Sequence, residues 1–331
     1  MEPTTPAPTA DAGHALLCAE TLLAHLEAVR LEIPGVRLSE DPECVHRMRV
    51  GSRRLRTALG LFEDLLGKPA RSWRRATRAV TRALGEARDL DVQLALVEEL
   101  RAAHRADRAR AGLERLALRL RQARGRAQAD VREALDGLEA SHLLDEVAHS
   151  LQQLRVRAEL QGAGARAPGA YTLLRARQAS GVLVEDLLAY DPFVRDPTAI
   201  EPLHRMRIAA KRLRYTLEVF VPALPGALEP YVAAVKKVQT LLGELHDCDV
   251  WLAYVPGLRE AERQRTLEFL GHTRSFGALL PGLELVENDR RARREATYAR
   301  FVALWDGHRE ARLWPELLGL LGQRAEGGAA S

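Results

Sequence analysis

Two segments of the chain place histidine, arginine and lysine side chains at helical spacing. Residues 45–62 read VHRMRVGSRRLRTALGLF and residues 203–220 read LHRMRIAAKRLRYTLEVF. In a helix with about 100° per residue, the basic residues of each segment fall within a stripe of about 80°, opposite the apolar residues. The first stripe consists of His46, Arg49, Arg53 and Arg56, and the second of His204, Arg207, Lys211 and Arg214. Such a face is suited to a ligand that carries many negative charges.

No acidic residue interrupts either stripe between Glu43 and Glu63 or between Glu201 and Glu218. Like charges three or four residues apart destabilise a helix slightly, so an ordinary exposed helix mixes glutamate into such a face. One basic run of this kind is most often a solvated surface. Its duplication at the same spacing favours a polyanion that neutralises both copies. Arginines on the flank of the stripes are equally compatible with ion pairs and with ligand contacts: Arg47, Arg54, Arg205 and Arg212.

Further basic residues follow the two segments at helical spacing, and we expect them either to extend the binding surface or to form a plain solvated face. These additional candidates are Arg78, Arg82, Arg121, Arg124, Lys236, Lys237, Arg291 and Arg294.

The chain contains an internal repeat. Residue 45 aligns with residue 203, and residues 85–97 (GEARDLDVQLALV) align with residues 243–255 (GELHDCDVWLAYV), so both pairs share an offset of 158. Two matches in one register predict a tandem duplication. We expect a disordered lead-in (1–12), one domain at 13–323 and a flexible tail (324–331). Within the domain, the expected parts are a first half at 13–161, a Gly/Ala/Pro-rich linker at 162–170 and a second half at 171–323.

Strong helix formers dominate, apolar residues recur every three or four positions, and alternating β-branched runs are absent. The pattern predicts an all-α fold with four or five helices in each half, arranged as two pseudo-symmetric antiparallel bundles. Gly85 and Gly243 are expected to end one helix, with the aspartates that follow capping the next. A further helix break is expected at Pro256-Gly257.

Composition is typical of a soluble globular chain. The 331 residues carry a formal net charge of only +4 and are 47% hydrophobic, so any polyanion site must come from local clustering. We expect no membrane span and no secretory signal, which favours the cytoplasm. The three cysteines (Cys18, Cys44 and Cys248) form no CxxC pair, so neither disulfides nor a structural zinc site are expected.

The two His-Arg-Met-Arg segments and the stretches from Leu84 to Asp91 and from Leu242 to Asp249 resemble the CHAD family, the conserved-histidine α-helical domain. The resemblance runs from about Ala12 to Gln323. It implies a basic groove or pore between two helical bundles that binds inorganic polyphosphate, often at polyphosphate granules. It also implies that the eight stripe residues are the ligand contacts, with Lys236 and Lys237 as additional ones. One departure is Ala79, which stands where the second half has Lys237.

Two alternatives stay open at this point. The basic stripes would also suit a nucleic acid, although only Tyr215 near them could stack on a base. His246-Asp247 could belong to a metal-dependent phosphohydrolase, but its counterpart in the first half is Arg88-Asp89 and no further ligand set completes a site. We therefore expect no enzyme activity, no catalytic residue, no cofactor and no metal.

Overall fold

The computed structural model describes residues 11–104, 108–162 and 169–327, and within these ranges every regular element is a helix. The predicted all-α fold class is confirmed. Most of the expected lead-in, linker and tail lies outside the described residues, at 1–10, 163–168 and 328–331. The domain boundaries stay predictions. None of the described helices is long and apolar enough to cross a membrane.

Each half contributes five long helices. The first half contains α1 (Ala12–Arg30), α2 (Ile33–Leu38), α3 (Pro42–Leu61), α4 (Glu63–Leu66), α5 (Lys68–Ala103), α6 (Arg110–Ala140) and α7 (Leu143–Gln161). The second half contains α8 (Ala170–Leu188), α9 (Ile200–Phe220), α10 (Glu229–Leu270), α11 (Leu280–Glu310) and α12 (Leu313–Gly327). Short 3₁₀ turns occupy Asp191–Phe193, Val221–Ala223 and Arg274–Leu279.

The helices pack on corresponding neighbours in the two halves. In the first half, α1 packs on α3 and α7, α3 packs on α5, and α5 packs on α6. In the second half, α8 packs on α9 and α12, α9 packs on α10, and α10 packs on α11. Helices α3 and α9 contact each other and so join the halves along their basic segments. The tandem duplication and an approximate two-fold axis between its copies stay predictions.

The apolar faces of α3 and α9 lie in the core, as the helical periodicity predicts. Met48, Leu55, Leu59 and Phe62 are at most 2% exposed, and their counterparts in α9 are at most 1% exposed. Those counterparts are Met206, Leu213, Leu217 and Phe220. Burial of this side of each helix turns the basic stripe away from the core and towards the space between the halves.

A second set of contacts joins the halves at the far ends of α6 and α10. Leu116, Trp251 and Val255 belong to a separate hydrophobic cluster there. Glu262 in α10 is fully buried and accepts hydrogen bonds from Arg115 and Arg119 of α6. Burial opposes ionisation of Glu262, but bonds from Arg119, Arg115 and Arg265 outweigh it and lower the pKa to about 2. These ion pairs hold the two halves in one arrangement.

The expected helix breaks at Gly85, Gly243 and Pro256 are wrong. Gly85 lies inside α5, which runs for 36 residues, and the other two lie inside α10, which runs for 42. A glycine costs a helix only about 1 kcal/mol relative to alanine, so the strong helix formers around it and the packing of both faces decide the outcome. As a result, the aspartates that follow each glycine lie within α5 and α10 and do not cap a helix.

Candidate functional site

The basic stripes of α3 and α9 meet in what we call the central groove, the surface between α3, α5, α9 and α10 that carries Arg49, Arg53, Arg207 and Lys211. The contact between α3 and α9 brings these cations close enough to affect one another. Burial, followed by the positive charges of Arg53, Arg207 and Arg49, lowers the pKa of Lys211 to about 7. Cations from both halves therefore share one site.

The arginines of the central groove carry positive charge that the protein compensates only in part. Burial, followed by the charge of Arg53, lowers the pKa of Arg49, and burial is also the first cause for Arg53 and Arg207. Of the four cations, only Arg49 has a carboxylate within ion-pairing distance in the described part of the chain, Asp89 at 3.0 Å. The Arg49 side chain is only 19% exposed. A set of crowded, mostly unpaired cations favours an anionic ligand.

Three arginine Nε atoms at the groove and beside it are buried without a hydrogen-bond partner: those of Arg49, Arg56 and Arg207. A buried polar hydrogen that lacks an acceptor costs free energy, and phosphate oxygens are acceptors that match the guanidinium fork. These three guanidinium groups thus retain a donor that no described protein group satisfies.

Two carboxylates share the central groove with its cations. Arg49, Asp89, Arg207 and Asp247 line one cleft of about 210 Å³ together with His246. Asp89 accepts its hydrogen bond from Nη2 of Arg49, while its own side chain is 66% exposed. Burial raises the pKa of Asp247, the charge of Arg207 lowers it, and the charge of Asp89 raises it again. The cleft therefore contains both positive and negative groups.

The stripe histidines, His46 and His204, have different neighbours in the two halves. His204 and His246 approach each other, with 2.9 Å between their Nδ1 atoms. Burial and then the charge of Arg207 lower the pKa of His246 to about 4, and burial also lowers the pKa of His204. In the first half, burial and then the charge of Arg88 lower the pKa of His46. Both stripe histidines are therefore expected to be neutral near pH 7 when no anion is bound.

The last basic residue of each stripe behaves differently in the two halves. Burial lowers the pKa of Arg56, and the charges of Arg78 and Arg74 lower it further. Arg214, in contrast, donates hydrogen bonds to Glu218 (2.8 Å) and Gln239 (2.7 Å) and is 11% exposed. Arg56 is the freer of the two to bind a ligand.

The flank arginines all form ion pairs. The sequence was equally compatible with ion pairs and with ligand contacts at these positions. Arg47 pairs with Glu32, Arg205 with Glu201 and Arg212 with Asp186. Arg54 of α3 pairs with Glu218 of α9, at 3.1 Å, across the two halves. These four arginines therefore have carboxylate partners within the protein and are less available to a ligand than the unpaired groove cations.

The eight additional candidates fall into three groups. Arg78, Lys236 and Lys237 are exposed and have no carboxylate partner within the described ranges. Arg82 instead lines a different cleft, between α5 and α6, with Asp130 and Glu133.

The other four candidates are occupied by protein partners. Arg124 pairs with Asp91 at 2.6 Å and Arg294 with Asp249 at 2.5 Å, both nearly buried, while Arg121 pairs with Glu98 and Arg291 bonds Asn288. For Arg124 and Arg294 the geometry favours a structural role.

Sequence reasoning missed the contribution of α5 and α10 to the central groove. Asp89 and Asp247 were expected to cap helices, and His246 was set aside because it completes no metal site. All three line the groove cleft. The signal was available in the spacing, since Asp89 follows Gly85 and Asp247 follows Gly243 by four residues, which places each pair on one helical face.

The described residues contain no group of three or more His, Cys, Asp or Glu side chains that could hold a metal ion. The aromatic side chains nearest the basic groups are covered: Tyr215 is 5% exposed beneath Arg214, and Trp251 is 3% exposed. Neither offers an open face to a nucleic-acid base.

Comparison with known proteins gives one family and one fold. The sequence profile of the CHAD domain matches residues 20–255, more than two thirds of the chain. The crystal structure of the CHAD domain from the plant Ricinus communis is 27% identical, with a TM-score of 0.58, and the match covers 88% of this chain and 95% of that one. PptA from Streptomyces chartreusis is similar in fold, with 18% identity and a TM-score of 0.58. That match covers 90% of this chain and 100% of PptA. No curated protein matches this chain.

Proposed function

The chain belongs to the CHAD family, and from this membership and the central groove we propose that it binds inorganic polyphosphate without hydrolysing it. The observation that carries the proposal is the meeting of Arg49 and Arg53 with Arg207 and Lys211, cations from the two halves that lower one another's pKa. A linear polyanion that lies between α3 and α9 would satisfy both sets at once.

Polyphosphate fits the chemistry of the groove better than a nucleic acid does. Its repeating unit offers only charged and neutral oxygens, and arginine, lysine and protonated histidine can bind these without any stacking surface. A single-stranded nucleic acid normally also requires aromatic faces on which its bases stack. Tyr215 and Trp251 are buried and offer no such face, which favours polyphosphate over a nucleic acid.

We propose a binding role with no catalysis. Phosphate-ester or anhydride hydrolysis requires a positioned metal ion or a base that activates water. His246, the candidate for such chemistry, lies against His204 with 2.9 Å between their Nδ1 atoms, and burial and then the charge of Arg207 lower its pKa to about 4. In the cell, such binding would suit association with polyphosphate granules or scaffolding on polyphosphate chains.

The test is a double substitution with a matched control on the same two helices. Arg49→Gln/Arg207→Gln removes one cation from each half of the groove, whereas Arg47→Gln/Arg205→Gln removes two arginines that pair with Glu32 and Glu201. We expect the groove variant to lose at least about a hundredfold in affinity for long-chain polyphosphate, measured by titration calorimetry, because each charged hydrogen bond contributes about 1.5–3 kcal/mol.

The control variant should bind polyphosphate within about threefold of the wild type, because Arg47 and Arg205 are paired with Glu32 and Glu201. Loss of these surface ion pairs should also change the stability of the fold very little. Circular dichroism checks that both variants stay helical. Glutamine is preferred to charge reversal because Arg49 is only 19% exposed and burial also lowers the pKa of Arg207, so a carboxylate at either position would destabilise the fold. Equal affinities of the groove variant and the control would refute the assignment of the site.

A further inference from the structure

The central groove contains two acidic side chains that a polyanion site does not need. Asp89 on α5 and Asp247 on α10 occupy equivalent positions in the repeat and line the same cleft as Arg49 and Arg207. A helix surface of this length offers many positions for aspartate outside a cationic cleft. Their presence on both halves raises the question of how they affect binding of an anion.

The carboxylates interact with cations of both halves. Asp89 is hydrogen-bonded to Arg49 at 3.0 Å, and its charge also acts on Arg53 and Arg207. The charge of Asp247 acts on Arg207, which has no carboxylate partner within ion-pairing distance among the described residues. The Asp89 side chain is 66% exposed and that of Arg49 only 19%, so an incoming anion meets the carboxylate before it reaches the guanidinium.

Aspartates in this position act as internal counter-ions. When no ligand is bound, they offset repulsion among the groove cations and stabilise the folded chain. When an anion enters, it must replace Asp89 on Arg49 and must lie close to two negative charges. That cost is the same for every polyphosphate, whereas the favourable contacts increase with the number of phosphates that reach the groove.

We propose, on the basis of the polyphosphate-binding function, that Asp89 and Asp247 set the shortest polyphosphate chain that the groove binds. A fixed cost excludes short anions, which make too few contacts to offset it, and leaves long chains as ligands. Selectivity of this kind comes from a repulsive element built into the site and adds to the attractive contacts.

The proposal has a second consequence, for the salt dependence of binding. The counter-ions released on binding are those condensed on the polyphosphate, about one for each phosphate that a protein cation neutralises. A groove cation that an aspartate already neutralises adds less to this number, and removal of the aspartates restores its contribution. The decline of log K with log salt should therefore become steeper by about one ion for each carboxylate removed.

The experiment compares Asp89→Asn/Asp247→Asn with wild type in titrations of pyrophosphate, tripolyphosphate and long-chain polyphosphate at several salt concentrations. The control is Asp136→Asn/Asp145→Asn, which makes the same charge change at carboxylates paired with Arg37 and Arg30, outside the groove. We expect tripolyphosphate affinity to rise about tenfold or more in the groove variant, with a steeper salt slope, and to stay unchanged in the control. Without ligand, the groove variant should also melt at a lower temperature.

If the double variant does not fold, the single variants Asp89→Asn and Asp247→Asn should each show part of the gain. Unchanged or weaker tripolyphosphate binding in folded variants, or an equal gain in the control, would overturn the proposal while leaving polyphosphate binding by the wild type intact. Failure of the wild type to bind long chains would instead refute the proposed function itself.

Discussion

Lys211 is the groove residue whose charge depends most on its surroundings at neutral pH. Burial, followed by Arg53, Arg207, Arg49 and Arg212, lowers its pKa to about 7. A polyanion in the groove raises this pKa again, because negative charge favours the protonated amine. Binding therefore takes up a proton wherever the free amine is neutral and the bound amine is charged.

The resulting pH dependence has a defined sign. Below about pH 6, Lys211 is protonated in both states and contributes no pH dependence; above pH 7, affinity should fall as pH rises, by at most about tenfold per pH unit for one proton. Lys211→Arg should flatten the profile between pH 7 and 9, since arginine stays charged there. His246, with a pKa of about 4, titrates well below this window.

The control is Lys236→Arg, which makes the same change at an exposed lysine of α10. It should keep the wild-type profile when the affinity for long-chain polyphosphate is measured by calorimetry across the pH range. An equal slope for wild type and Lys211→Arg would show that Lys211 does not contact the ligand.

At the residue scale, the sequence predicted which side of α3 and α9 is buried but not how enclosed the other side is. Helical periodicity places Met48 in the core and Arg49 away from it, and the structure agrees on both. Periodicity on one helix carries no information about a neighbouring helix. Periodicity therefore could not decide whether Arg49 faces solvent or a groove; in the structure α3 packs on α5 and α9, and the Arg49 side chain is only 19% exposed.

At the element scale, the long helices α5 and α10 link the groove to the outer helices. Two residues beyond each groove aspartate, Asp91 and Asp249 form nearly buried ion pairs with Arg124 of α6 and Arg294 of α11. Arg124 also donates to Gln128 and to Ser39. One side of α5 therefore faces the groove, and the nearly opposite side, about 200° further around the helix, holds α6 in place.

This geometry predicts a large loss of stability for Arg124→Ala. Removal of one member of a buried ion pair leaves an uncompensated charge, which should lower the free energy of unfolding by about 3–5 kcal/mol. Arg121→Ala, one turn away on α6, breaks an exposed pair with Glu98 and should cost at most about 1 kcal/mol. Urea denaturation followed by circular dichroism measures both.

The same pair of variants decides between two roles for Arg124. A variant that unfolds like the wild type but binds long-chain polyphosphate more weakly would place Arg124 in the ligand surface, as the repeat alone suggested. Lower stability with wild-type affinity for polyphosphate would support the structural role.

Helix content could be predicted from composition and periodicity, but some helix ends could not. Pro42 and Pro69 stand at the beginning of α3 and α5, where proline is favoured. Gly85 and Pro256 carry similar local signals yet lie within helices, because tertiary packing outweighs a cost of a few kcal/mol. The residues of α5 and α10 that face the groove could not be predicted, because that required knowing that the two helices continue through Gly85 and Gly243.

At the scale of the whole molecule, the groove requires both halves in a fixed arrangement. The contact between α3 and α9, the pair Arg54–Glu218 and the bonds of Glu262 to α6 together position the two stripes. The shared offset of 158 predicted two similar units but could not specify how they face each other, since that depends on contacts between residues far apart in sequence.

The central claim is that two basic stripes form one site for a polyanion without bases. The most direct test is an equilibrium competition in which single-stranded DNA is added to the wild-type chain bound to fluorescently labelled long-chain polyphosphate. At equal phosphate concentration, we expect the DNA to displace little polyphosphate, and the affinity for polyphosphate to decline linearly and steeply on a log–log plot against salt. Complete displacement by single-stranded DNA at equal phosphate, or an affinity insensitive to salt, would contradict the account.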